Sequence, residues 1–152
     1  ASGQDRLLVL IDYTKPSTEK RFYILDLLQK KLLLSTYVAH GRGSGDNYAV
    51  AFSNRPGSYQ SSLGFFRTGD TYMGKNGYSL FLDGLEKGIN DKARERAIVV
   101  HGANYADPAV LKGQQRLGRS LGCPALPPDI SKQVIDTIKG GVLLYIYGLN
   151  KA

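Results

Sequence analysis

The apolar residues of this chain come in short runs broken by glycine, asparagine, serine and proline, and only one stretch carries a helical period long enough to pack. That stretch is 130–139, where Ile130, Val134, Ile135 and Ile138 share a face, Asp129 is placed as an N-cap and Gly140-Gly141 end the helix. The other runs read as strands. Residues 7–13 and 21–27 flank a turn holding Pro16 and Ser17, and 32–39 follows Gln29-Lys30-Lys31, so three antiparallel strands open the fold. Strands are also expected at 78–82, at 97–100 ending on His101, and at 141–147, apolar through its centre. Asn90 is placed as the cap of a short helix reaching Ala97, and Asp107-Pro108 as the start of a helical turn. Eighteen glycines and ten tyrosines with no tryptophan suit strands and turns. A single mainly β domain over 1–152 with about three short helices is expected, large enough to bury a core without metal or disulfide staples.

Twenty Lys and Arg against thirteen Asp and Glu give a net charge of +7 and favour anionic or carboxylate-rich partners. The basic residues are scattered, with no long run and no nucleic-acid motif, so nucleic acid is not the expected partner. The longest apolar runs, 7–11 and 142–146, fall far short of the roughly 18 residues of a membrane span. The glycine-rich loop 41–45 lacks the lysine and the strand-loop-helix setting of a phosphate cradle, and a flexible loop is expected there.

Cys123 is the only cysteine, so it forms no disulfide within the chain. It reads either as a small buried filler or as a nucleophile, and the second reading needs a base. Only His40 and His101 offer an imidazole. His101, at a strand end, is the candidate base, able to take the thiol proton and hold the pair as thiolate and imidazolium; its other reading is a hydrogen-bonded structural residue. Gly122 leaves main-chain N–H groups unscreened, so the Gly122 and Cys123 amides are candidate oxyanion donors, and Ser120 would orient either the loop or the imidazole. His40, beside Gly41, Arg42 and Gly43, lines the cleft or serves the loop. Tyr48, Tyr59, Tyr72 and Tyr78 form a cleft wall or are ordinary strand residues. His40, His101 and Cys123 would suffice as three zinc ligands, but the usual short ligand spacings are missing and no metal is expected.

His101-Gly102, then 17 residues (103–119), then Ser120-Leu121-Gly122-Cys123, resembles the signature of the YkuD-type L,D-transpeptidases, and 118–125 resembles the subgroup whose cysteine box reads R-S-x-G-C-P-A. Ser62-Leu63-Gly64-Phe65-Phe66 is similar to that family's small-x-Gly-x-aromatic strand, and the likeness covers nearly the whole chain. Leu121 and Pro124-Ala125 depart from the Arg or His before Gly-Cys and the Arg or Asn after it that are usual in the wider family, with Arg119 as the substitute contact. The resemblance implies a β-sandwich with a few short helices and a cysteine acyltransferase without cofactor. Cys123 would displace D-Ala from a diaminopimelate–D-Ala stem, form a thioester and pass it to a second stem. Catalytic roles would fall to Cys123, His101, Ser120 and Gly122. Substrate contacts would fall to Arg119, Gly102, His40, Arg42, Ser62, Tyr72 and Tyr78. It further implies a monomer at peptidoglycan outside the cytoplasm, with any leader removed before Ala1, and acylation by carbapenems. Stem-peptide trimming by the same thioester and a non-catalytic peptidoglycan-binding module are the alternatives.

Overall fold

The computed structural model describes residues 5–151. Eight strands form one sheet in the order β3-β2-β1-β8-β4-β5-β6-β7. They are β1 (Leu7–Asp12), β2 (Phe22–Asp26), β3 (Lys31–Thr36), β4 (Gly64–Gly74), β5 (Gly77–Gly84), β6 (Val99–Gly102), β7 (Ala125–Leu126) and β8 (Leu143–Tyr147). The opening antiparallel meander is as expected: Val9 pairs with Ile24 and Ile24 with Leu34. β8 returns parallel to β1 and antiparallel to β4, so it is flanked on both sides and alternates Leu144 and Ile146 into the core.

The sheet curls until its ends meet. Ala39, just past β3, bridges to Ala125 in β7, and Gly41 bridges to Ser120. The mainly β expectation holds, and the two layers expected of a sandwich are parts of this one nearly closed sheet.

The helix α1 (Pro128–Ile138) buries Val134, Ile135 and Ile138 against β5 and β6, as its periodicity requires. Each such side chain contributes roughly 2 kcal/mol by leaving water. The helix begins before Asp129: Pro127 is the N-cap, Pro128 opens the first turn and Asp129 lies within it, where its charge still suits the positive helix end.

Two sequence expectations fail here. Residues 90–97 form turns, because the buried Asn90 spends its side chain on Leu63 O, Phe65 O and the Glu86 amide instead of capping a helix. The loop around 41–45 is not loose. A 3-10 turn, Arg42–Ser44, packs against 58–60, with Gly43 N donating to Tyr59 O at 2.8 Å and Ser44 Oγ accepting from Ser61 N at 2.9 Å. Asp107 does cap its short helical turn, accepting from Ala109 N at 2.9 Å.

Candidate active site

β6 carries His101 on the sheet face opposite α1, in a cross-strand row with Ser79 on β5 and Tyr72 on β4. Gly102 follows, and only a glycine fits: a Cβ there would stand 2.5 Å from Ser131 Oγ of α1. The Gly102 carbonyl accepts the His101 Nδ1–H at 2.9 Å. A carbonyl can only accept, so this bond fixes the tautomer and leaves Nε2 with the lone pair of a base.

Cys123 sits in the turn that enters β7, 9% exposed. Its Sγ donates to Ala97 O and accepts from Val99 N, both at 3.4 Å. The thiol is thus fixed beside β6, two residues or about 7 Å along the strand from His101. The turn is made by Ser120, whose Oγ donates to Cys123 O at 2.6 Å and accepts from Gly122 N at 3.1 Å. Gly122 adopts φ +130, open to glycine and strained for other residues, and a Cβ on it would come 3.0 Å from Ile98 Cδ1 and 3.1 Å from Gln60 O. Burial raises the Cys123 thiol above its ordinary value and lowers the His101 imidazole below its own. Both effects favour a neutral resting pair over the thiolate-imidazolium pair expected from the sequence.

The remaining residues divide. The Gly122 amide is occupied by Ser120, whereas the Cys123 amide has no hydrogen-bond partner among the described residues, so of the two candidate donors only the Cys123 amide is free. His40 is 1% exposed with both nitrogens bound: Nδ1 accepts from Arg21 Nη2 at 2.9 Å and Nε2–H donates to Gly45 O at 3.1 Å. Both ring nitrogens are thus spent within the fold, which fits the loop role weighed for it from the sequence. Ser62 is likewise buried between Arg96 Nη1 and Ser53 O. Tyr78 faces α1, where its hydroxyl donates to Asp136 and Lys132 Nζ lies 5.6 Å from its ring, on the face of the sheet opposite His101. Tyr48 lines a separate cavity of about 270 Å³ with Tyr13, Val50 and Leu149.

Three of the expected substrate residues keep exposed or half-buried side chains. Tyr72 stacks on Phe81 at 4.4 Å in the row of His101. Arg42, exposed, leaves its chain beside Ser120 and stacks over Tyr59 at 4.5 Å. Arg119 is held by Asp46 at 3.1 Å and Gly45 O at 3.3 Å. A cavity of about 350 Å³ opens at the α1 side of the β6 end, lined by Lys75, Tyr78, Gly102, Asn104 and Ser131 among others; neither His101 nor Cys123 lines it. Arg96, among the basic residues of 92–96, had no sequence signal to set it apart, yet its guanidinium ties 53–62 to the underside of the cysteine turn. No cluster of His, Cys, Asp and Glu able to hold a metal occurs among the described residues.

A family model described as the L,D-transpeptidase catalytic domain matches residues 1–147. Solved structures share the fold. An L,D-transpeptidase from Mycobacterium smegmatis is 13% identical with a TM-score of 0.56, over 94% of this chain and 59% of that one. The helical cell shape determining protein Pgp2 from Campylobacter jejuni is 15% identical with a TM-score of 0.63, over 95% of this chain and 48% of that one. The LD transpeptidase LdtMt1, solved in complex with imipenem, is 13% identical with a TM-score of 0.54, over 93% and 59%. This chain therefore spans about half to three fifths of the length of these structures, and at such identities the likeness is one of fold. No curated protein matches the chain.

Proposed function

We propose, on the premise that this chain belongs to the L,D-transpeptidase catalytic-domain family, that it is a peptidoglycan L,D-transpeptidase acting outside the cytoplasm with Cys123 as nucleophile and His101 as base. The observation that carries the reading is the His101 tautomer: Nδ1–H is committed to Gly102 O, so Nε2 alone is free to accept a proton on the strand that fixes Cys123 Sγ. From the neutral resting pair, the Cys123 proton passes to Nε2 as sulfur attacks the carbonyl of the diaminopimelate–D-Ala bond. The Cys123 amide donates to the oxygen as it gains charge. Collapse breaks the C–N bond, D-Ala leaves with the proton from His101, and the diaminopimelyl group remains as a thioester. An amine of a second stem then attacks the thioester, returns the thiol and completes the cross-link. Arg42, Arg119 and Tyr72 are assigned to the donor, the two arginines suiting a substrate rich in carboxylates.

Incubation with a carbapenem and intact-mass measurement tests the nucleophile. One adduct on the wild type and none on Cys123→Ala is the expected result, and an unmodified wild type would count against catalysis. On purified muropeptides, cross-linked dimers support transpeptidation. Trimmed tripeptides alone would show that water, not an amine, resolves the thioester.

A further inference from the structure

Arg96 lies in the turn region between β5 and β6, one residue before Ala97, whose carbonyl accepts the Cys123 S–H. Its guanidinium is half-buried. Nη1 donates to Ser53 O at 2.9 Å and Ser62 Oγ at 2.7 Å; Nη2 donates to Ser58 Oγ at 3.1 Å and Gln60 O at 2.8 Å. All four acceptors are neutral, and among the described residues Arg96 pairs with no carboxylate. The group therefore keeps a full positive charge that nothing nearby cancels. That charge borders the cysteine turn: a Cβ on Gly122 would lie 3.6 Å from Arg96 Nη2 and 3.1 Å from Gln60 O, which Arg96 holds. With only Nε–H left, the guanidinium cannot form the two-pronged grip on a substrate carboxylate that makes arginine a clamp. What remains for it to supply is position and field.

We propose that Arg96 is a positioning residue for Cys123: it fastens 53–62 beneath Gly122 and, through its uncompensated charge, favours the thiolate over the thiol. This rests on the reading of Cys123 as the nucleophile. The other titratable groups coupled to the thiol are Lys75 at the β4–β5 turn, Tyr13 after β1 and Tyr105 in the turn past β6, and none of them is a carboxylate. Burial is the largest influence on the thiol and pushes it up, while Arg96 and Lys75 pull it down. Removal of the Arg96 charge therefore raises the thiol further and leaves less thiolate at neutral pH.

The experiment needs no stem peptide. Alkylation of Cys123 by iodoacetamide is followed by intact mass from pH 6 to 10 for wild type, Arg96→Gln and Arg96→Lys, with near-UV circular dichroism to verify folding. Arg96→Gln is expected to alkylate about tenfold more slowly at pH 7, with its titration displaced upward. Arg96→Lys, which keeps the charge, is expected to stay within about threefold of wild type. A folded Arg96→Gln with an unchanged profile overturns the proposal, as does equal slowing in both variants. Should Arg96→Gln fail to fold, Arg96→Lys decides: retention of the rate supports the role of charge, and a tenfold loss in the folded variant rejects it. A wild type that cross-links muropeptides while Arg96→Gln alkylates normally removes only this proposal. A wild-type thiol inert at every pH removes the nucleophile as well.

Discussion

At Gly41 a single hydrogen atom decides whether the cysteine turn can close. A Cβ there would stand 2.5 Å from Tyr59 O and 2.8 Å from Gly122 Cα, and all these atoms are main chain, which cannot swing aside as a flexible side chain can. Gly41 N also donates to Ser61 Oγ at 2.9 Å, and Gly41 bridges to Ser120, so movement of this residue moves the turn that presents Cys123. Overpacking of this kind costs about 1–3 kcal/mol. Gly41→Ala is therefore expected to lower thermal stability by several degrees and to slow carbapenem acylation of Cys123 by about a hundredfold, because the sulfur and its amide shift together. Intact-mass time courses and a melting curve measure both. An unaffected acylation rate would mean that the 41–122 contact does not set the nucleophile. The sequence displays this glycine in a run of glycines but not its reason, because the partners, Tyr59 and Gly122, lie 18 and 81 positions away.

Among the elements, β4 and α1 are coupled through one hydroxyl. Thr68, buried at the irregularity in the β4–β5 ladder, donates from Oγ1 to Ile138 O at 2.7 Å and accepts from Gly141 N at 3.1 Å and Val142 N at 2.8 Å. It thereby satisfies an orphan carbonyl at the end of α1 and steers the chain from Gly140 and Gly141 into β8. Thr68→Val keeps the shape and strands three buried groups, for an expected loss of about 3 kcal/mol by urea denaturation. A loss below about 1 kcal/mol would show that water replaces the hydroxyl. Elements with a continuous apolar run, such as β1 and β8, or with a one-sided apolar face, such as β2 and α1, were legible in the sequence. β4 was legible only in its first residues, since Gly69, Asp70 and Gly74 break its alternation and it is held by neighbours on both sides. The supposed helix at 90–97 misled for the opposite reason: good local helix formers yield there to Asn90, whose three hydrogen bonds are distant or irregular and carry no local signature.

Across the whole molecule, the sheet closes at 38–41, and a buried cation lies beneath that seam. Among the described residues Arg21 has no carboxylate partner; it donates to Val38 O from Nε and Nη2, to Lys15 O from Nη1 and to His40 Nδ1, with Tyr13 stacked 4.7 Å away. From sequence, His101 and Cys123 stood out because their chemistry is rare in this chain, whereas His40 stayed open between cleft and loop, because its structural role depends on an arginine that nothing in the chain singles out. That role has a consequence in acid. With Arg21 donating to Nδ1, a proton on His40 would break the hydrogen bond and set two cations together in a buried site, and burial followed by the Arg21 charge lowers the imidazole to about 4. The unfolded chain titrates near 6.5, so between 6.5 and 4 it binds a proton that the folded chain refuses. Stability from this site is complete above 6.5, falls as pH drops, and levels off below 4. Between pH 6.5 and 5 the loss is about 1.5 kcal/mol, a range in which the depressed carboxyls of Asp26, Asp83, Asp91 and Asp136 are still ionised. His101, lowered by burial, acts in the same direction, so the comparison must remove His40 alone. Urea denaturation of wild type and His40→Gln at pH 6.5 and 5 should show a variant that is weaker at 6.5 yet loses about 1.5 kcal/mol less on acidification. Parallel losses in the two proteins would place the acid-sensitive group elsewhere than at the seam.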